Sequence, residues 1–377
     1  MSNDAPLSQT QLVWRRFKRQ RLGFFSGVVV LVLAVFFLLA DFIAPYNYAQ
    51  QHRRASYVAP MLTRVHLFDE NGLRLPFVYA LKRERDPNRA LSGVWHYAEE
   101  RSESFPIRWF VKGEAYQLWG LIPLDVHLFG LGTPPNSPGQ LFLLGTNQTG
   151  QDLFSQIMVG GRLSLGLGPL VIFSSFLLGI VVGGLSGYWG GWVDTALQRL
   201  VEITMGLPRL ALLLALSAAI PSNAAPMTRY WAIAGVLVLV SWAPLARVIR
   251  GQFLALREED FVVAARATGA SGARIIGRHI LPSTTSYLVV SATLAIPNVL
   301  ILESVLSFFG FGLHTPMISW GLLLKQVQDN LVTHLSFQPW LLLPGAFLFF
   351  TVLAFNFTGD ALRDAVDPFA VDVGTQR

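Results

Sequence analysis

The sequence predicts an all-α integral membrane protein with six membrane-spanning helices and a large extracytoplasmic insert between the first and the second. Three observations carry that prediction. The chain of 377 residues is 52% hydrophobic and only 14% charged, with a mean hydropathy of +0.46, where soluble domains carry nearer a quarter charged residues. Six apolar runs, at 23–44, 163–188, 196–220, 230–249, 284–306 and 339–362, each approach the length needed to cross a hydrocarbon core. Basic residues gather from the end of the fourth run to the start of the fifth, at Arg247, Arg250, Arg257, Arg266, Arg274 and Arg278, while the two short loops on the opposite side offer Arg229 and Lys325. Because positive charge accumulates in cytoplasmic loops, this asymmetry places both termini and the 247–283 loop inside.

The formal net charge of +6 has the same origin. It does not call for nucleic acid, since no basic-aromatic run suits a base-reading surface. Zero cysteines exclude disulfides, thiolate metal sites and a cysteine nucleophile. An extracytoplasmic domain of this chain must hold together by packing alone.

Residues 1–22 form a cytoplasmic segment whose Arg15, Arg16, Lys18, Arg19 and Arg21 precede the first apolar run. That run, 23–44, is too long and too poor in a small-residue cleavage site for a signal peptide, and reads as an uncleaved helix. The insert at 45–162 is rich in aromatic residues, among them Tyr57, Trp95, Tyr97, Trp109 and Trp119, which argues for a folded domain over a linker. Alternating patches at 106–111 and 141–144 suggest strands. At 152–163, Leu153, Ile157 and Gly161 share a face, predicting an amphipathic helix at the outer interface. A core of five spans occupies 163–368 and a cytoplasmic tail 369–377.

Within the spans, Gly179, Gly183 and Gly187 recur every fourth residue, which permits close helix packing, either inside the chain or against another subunit. Pro208, Pro244, Pro297 and Pro344 should bend or break the spans that hold them. Glu202 lies three residues from Arg199 and reads as a structural pair. Glu303 has no basic neighbour in sequence and suits either a translocation path or a bond to backbone. Asp41, near the outer end of the first run, reads as solvated.

In the C-terminal half the one long polar stretch between apolar runs is 257–282, REEDFVVAARATGASGARIIGRHILP. Small residues Ala264, Ala265 and Ala267 lead to a bend at 269–272. A second patch follows, in which Ile275, Ile276 and Ile280 face away from Arg274 and Arg278, and Pro282 is expected to open the next helix. Small side chains would let a partner approach the backbone, so the stretch reads as a docking knob or as an ordinary amphipathic loop. The chain contains no GxxxxGK phosphate loop, no GxGxxG turn and no HExxH pair, and its seven histidines lack metal-ligand spacing. No catalytic site, cofactor or metal is expected.

Val263-Ala264-Ala265, Gly269 and Leu281-Pro282 together resemble the Glu-Ala-Ala...Gly...Leu-Pro loop of permease subunits of bacterial ABC importers. LLGTNQTGQDLFSQIMVGGRLSL (143–165), SGYWGGWVDTALQRLVE (186–202), ESVLSFFGFGL (303–313) and VLAFNFTGDALRDAVDP (352–368), with the RRFKRQRLG entry, are similar to successive blocks of the dipeptide/oligopeptide C-type permeases. Val263 stands where that family usually has Glu, and the insert is longer than in the simplest dipeptide permeases. The resemblance implies a type I ABC importer permease fold in the bacterial inner membrane, with no enzymatic activity of its own. It further implies a second permease subunit as heterodimer partner, two cytoplasmic ATPase subunits that grip Val263, Ala264, Ala265, Gly269, Leu281 and Pro282, an extracytoplasmic solute-binding protein, and membrane lipid around the spans. Glu303 would lie on the path of a peptide, an oligosaccharide or another small solute. Readings from other classes are a self-sufficient secondary transporter, which would want a charged relay and an inverted repeat, and a receptor whose spans are an anchor.

Overall fold

The computed structural model describes residues 9–69, 72–85, 95–133, 137–328 and 331–367. The first eight residues of the N-terminal segment, Pro368 and the tail expected at 369–377 lie outside them. The chain divides into two compact units, Val32–Leu165 with Ser307–Leu348, and Met1–Leu31 with Gly166–Leu306 and Phe349–Arg377. In chain order, α1 (Gln9–Arg19) leads into α2 (Arg21–Leu38) and a one-turn α3 (Ala40–Ile43). Five strands follow, β1 (His66–Asp69), β2 (Gly72–Arg85), β3 (Trp95–Pro106), β4 (Arg108–Leu118) and β5 (Ile122–Gly130). The remainder is helical: α4 (Leu153–Trp189), α5 (Gly191–Gly206), α6 (Arg209–Ala218), α7 (Pro226–Ser241), α8 (Ala243–Leu256), α9 (Asp260–Ala267), α10 (Gly272–Ile275), α11 (Leu281–Phe308), α12 (Trp320–Gln328), α13 (Leu331–Phe337) and α14 (Leu343–Val366).

Among the described residues four helices are long and apolar enough to cross a membrane, and six spans result when two bent pairs each count as one. Proline decides the bends. At Pro208 the α5–α6 pair turns by 88°, and α7 and α8, with Pro244 in the first turn of α8, meet at 42°. The other two prolines do not break their spans. Pro297 sits inside an uninterrupted α11, where the loss of one backbone bond does not end a long helix. Pro344 lies in the first turn of α14, where its missing N–H would have had no intrahelical partner.

The unit containing the insert is built on two antiparallel sheets, β1-β2-β3 and the β4-β5 hairpin. In the first, Lys82 pairs with Ala98 and Phe77 with Pro106. A core of Val58, Met61, Val78, Tyr97, Leu141 and Phe142 closes over it. The expected strand at 106–111 straddles the junction of β3 and β4. No strand forms at 141–144: Leu141 and Phe142 are wholly buried, and the backbone bonds to the neighbouring segment are those in which the Met61 and Leu62 N–H groups donate to the Phe142 and Leu143 carbonyls at 3.0 and 3.2 Å, while the Leu141 N–H donates to the Tyr46 hydroxyl. Two bonds and a turn are too short for a ladder.

The segment 152–163 also departs from expectation. It is not a separate interfacial helix but the opening turns of the continuous α4, and its side chains are buried on most sides. Phe37, Ile157, Met158, Ile318 and Trp320 form a second core there, with the Trp320 indole N–H donating to the Ile157 carbonyl at 3.0 Å. Gly161 lies so close to the Phe37 ring that a Cβ would overlap it. Asp41 is likewise not merely solvated, because Arg162 one turn further along α4 binds both its carboxylate oxygens.

Asp152 caps α4. Its carboxylate accepts from the Ser155 N–H at 2.8 Å and the Ser155 hydroxyl at 2.6 Å, the arrangement expected of an N-cap Asp. Burial pushes its pKa up to about 6, against the lowering effect of those bonds. A pKa raised by folding means the native state holds the extra proton, so the stability that Asp152 contributes is complete below about pH 4 and is lost as pH rises through about 6. The thermal midpoint in nanodiscs should therefore fall for the wild type between pH 4.5 and 7 relative to Asp152→Asn, which keeps an oxygen for the cap and cannot titrate.

Candidate functional site

The 257–282 stretch folds as an elbow whose every joint has a local cause. The first helix, α9, is rooted by Val262, buried in a cluster with Leu245, Ile249, Phe253, Ile275 and Ile280. It ends in a Schellman motif. The Gly269 N–H bonds to the Arg266 carbonyl at 3.0 Å and the Ala270 N–H to the Ala265 carbonyl at 3.1 Å, with Gly269 at φ +80°, a conformation that costs an L side chain about 1–2 kcal/mol. Ala270 tucks against the same cluster. Ser271 then starts α10.

The reading of Pro282 is corrected here. It does not open a separate helix, because the chain passes from α10 through a π turn at Ile276–Ile280 directly into α11. The Leu281 N–H reaches back five residues to the Ile276 carbonyl. A proline one residue later can neither donate nor tolerate the ordinary i−4 carbonyl, and the wider π turn accommodates it. Ile275 and Ile280 are buried and Arg274 and Arg278 exposed, as their spacing predicts.

Of the residues singled out by sequence, Val263, Ala264 and Gly269 are exposed on the elbow and Ala265 is half-buried against its root. Exposed Phe261 and Ala267 extend the same apolar surface, and Glu258, Glu259 and Asp260 precede it. Leu281 and Pro282 begin α11 and do not share the face of α9. Glu303 is fully buried and interacts electrostatically with Tyr230. It stands 22 residues beyond Leu281 on α11, about 33 Å along the helix, and is no part of the elbow.

Two contacts that sequence spacing gave only in part fix α8, on which the elbow is rooted, to α4 and α5. Gly179, Gly183 and Gly187 of α4 face α8, and Cβ atoms built there would meet the Trp242, Ala246 and Arg250 carbonyls. Their packing is therefore within the chain. Asp194 at the start of α5 accepts both Nε and Nη2 of Arg250 at 2.6 Å and is also bonded by Ser186. From its spacing Arg250 reads only as a cytoplasmic charge; an acid in the short link between two apolar runs is the available signal for its partner. Arg199 and Glu202 do pair, at 2.9 Å, on an exposed face.

Residues 177–371 match the family described as binding-protein-dependent transport system inner membrane component. The chain belongs to that family of transport permeases. Residues 8–60 of this permease also match the N-terminal transmembrane domain of oligopeptide transport permease C. A protein of Brucella suis named as a peptide permease is 38% identical over 68% of this chain and 82% of its own. The dipeptide transport system permease protein DppC of Bacillus subtilis is 36% identical over 59% of this chain and 68% of its own. The solved MetNI methionine ABC transporter in inward-facing conformations is similar over 56% of this chain and 96% of that one, at 20% identity and a TM-score of 0.44. As the inner-membrane component of a binding-protein-dependent system, this permease is a multi-pass translocation subunit and not an enzyme, and it works with separate ATPase and substrate-binding proteins.

The two ion pairs differ in burial and should differ in worth. Arg250→Gln removes the bidentate partner of Asp194, leaving it the Ser186 hydroxyl and the longer-range charge of Arg257, and should cost roughly 2 kcal/mol. Arg199→Gln breaks an exposed pair and should cost less than about 0.5 kcal/mol. Thermal melting of the two variants in one detergent checks the order.

Proposed function

We propose that this permease is one of two different membrane subunits of an ATP-driven peptide importer, with its termini and elbow in the cytoplasm and the 45–162 insert outside. The exposed apolar face of α9 is the docking element for a cytoplasmic ATPase subunit. The observation that carries this reading is the elbow's construction: Phe261, Val263, Ala264 and Ala267 lie bare on a helix whose opposite side is locked into the spans by Val262 and by the glycine cap. A loop that merely joined two helices would have no reason to combine a buried root with an uncovered apolar surface. The excess of arginine around it supports the cytoplasmic side.

Peptide cargo is supported by the oligopeptide permease match at 8–60 and by the names of the Brucella and Bacillus relatives. Val263 removes the acid that the family resemblance leads one to expect on the docking helix. The neighbouring run Glu258, Glu259 and Asp260, exposed at the start of α9, takes over the polar anchoring. The solute-binding protein delivers peptide from the outer side, and a second permease subunit completes the path.

The transporter assembled from the permease and its partner subunits in proteoliposomes tests this. Ala264→Trp and Gly269→Phe should leave membrane insertion intact and reduce ATP-driven trialanine uptake, together with binding-protein-stimulated ATP hydrolysis, by at least about ten-fold. Uptake at the wild-type rate by both variants contradicts the docking role, and uptake by the permease alone under an ion gradient contradicts the importer.

A further inference from the structure

Arg209 is a charged residue in a place where charge is expensive. It opens α6 directly after the 88° break and falls near the centre of the apolar run 196–220. The other charges on α5 have carboxylate or guanidinium partners, Asp194 with Arg250 and Arg199 with Glu202. Arg209 instead donates from Nη2 to the Ser241 hydroxyl at 3.0 Å, and no carboxylate among the described residues forms an ion pair with it. Its side chain is exposed on the isolated chain. A guanidinium at this depth cannot face lipid without a cost of several kcal/mol, so it faces water or an anion.

What it faces is visible. Arg209 and Ser241 line a cavity of about 240 Å³, whose opposite wall is a face of α11 carrying Tyr287, Ser291 and Asn298. Those three polar residues recur at i, i+4 and i+11, one stripe about 16 Å long between its ends, on a helix face that otherwise gives the cavity Ala295 and Val299. The volume is below the roughly 300 Å³ of sites that enclose a whole small ligand, and so suits one end of a cargo. The ten-residue α6 points its free N–H groups from the same break.

We propose that Arg209 is the anion-binding residue of the translocation path, taking a carboxylate of the transported solute as it passes the bilayer centre, with Ser241 holding the guanidinium and the Tyr287–Ser291–Asn298 stripe keeping the cavity wet. The guanidinium fork matches a carboxylate in two parallel hydrogen bonds. One cation supported by hydroxyl and amide groups binds an anion without the second charge that would hold it. The identity of the anion as a peptide carboxylate rests on the peptide reading above; the anion site itself does not.

The chain contains no cysteine, so Ser291→Cys supplies the chain's single thiol within the cavity. In the nucleotide-free transporter in nanodiscs, that thiol should react faster with an anionic sulfonatoethyl methanethiosulfonate than with its cationic trimethylammonioethyl counterpart. Arg209→Gln should lower the ratio of the two rates by about ten-fold, and Arg209→Lys should retain it. In proteoliposomes, Arg209→Gln should reduce trialanine uptake by at least about ten-fold, with Arg209→Lys retaining part and stimulated ATP hydrolysis unchanged. A thiol that neither reagent reaches, or a rate ratio indifferent to Arg209, overturns the anion site. Uptake that Arg209→Gln leaves intact, or that falls only together with ATP hydrolysis, overturns its role in cargo passage. A wild type that shows the charge-selective thiol and imports no trialanine overturns the peptide cargo and leaves the anion site standing.

Discussion

The close contact of α4 with α8 is the constraint on which the elbow's root depends, because that root packs on α8. Gly179, Gly183 and Gly187 remove the side chains from one wall of that contact, so that the backbone carbonyls of Trp242, Ala246 and Arg250 lie where Cβ atoms would otherwise stand. Helices this close have no compressible layer between them. A side chain in a loose interface can change rotamer and absorb a displacement, whereas backbone against backbone can only move together. The bidentate Arg250–Asp194 pair adds α5 to the same body. In energy it is modest beside the steric wall, but it is directional and fixes the rotation of α8 that packing alone leaves free.

That stiffness gives the elbow its meaning. Val262 and Ala270 tie α9 to Leu245, Ile249 and Phe253 on α8 and to Ile275 and Ile280 beyond the bend. The cluster is therefore continuous with the α4–α8 contact, and α9 is its exposed outer surface. The proposed ATPase contact would push on a helix with little freedom to yield locally. The π turn at Ile276–Ile280 carries the same displacement straight into α11, the helix that bears the polar stripe opposite Arg209. Docking surface, rigid body and proposed path follow one another without a flexible joint, as a subunit with no ATP chemistry of its own requires.

Much of this was legible in the residues, for reasons that can be named. Apolar length and arginine asymmetry are one-dimensional signals, and the six spans followed from them. Gly269 was legible because the αL position after a helix favours glycine strongly. The small-residue spacing of α4 announced close packing, although only the structure could supply α8 as the partner. What was hidden depends on distance in space. Asp41 meets Arg162 and Asp194 meets Arg250 across long stretches of chain, and no local spacing joins them. The burial of Asp152 has no local signal, since burial is a property of what covers it. The strands of the insert were unordered because alternation identifies a strand and not its neighbour. Pro282 was misread for a subtler reason, that the same residue suits a helix start and a π turn. The local signal for Arg209 is a base directly after Pro208 in the middle of an apolar run.

The central claim is that the elbow and α4 move as one body when ATP is bound. Spin labels on Leu185→Cys in α4 and Arg266→Cys in α9, both exposed positions off the docking face in an otherwise cysteine-free chain, measure it in the assembled transporter by pulsed electron resonance. The distance distribution should be the same within about 2 Å in the nucleotide-free and ATP-trapped states, the scale of small helix shifts at an interface. A larger change between the two states would show the elbow hinging against α4 and contradict the account.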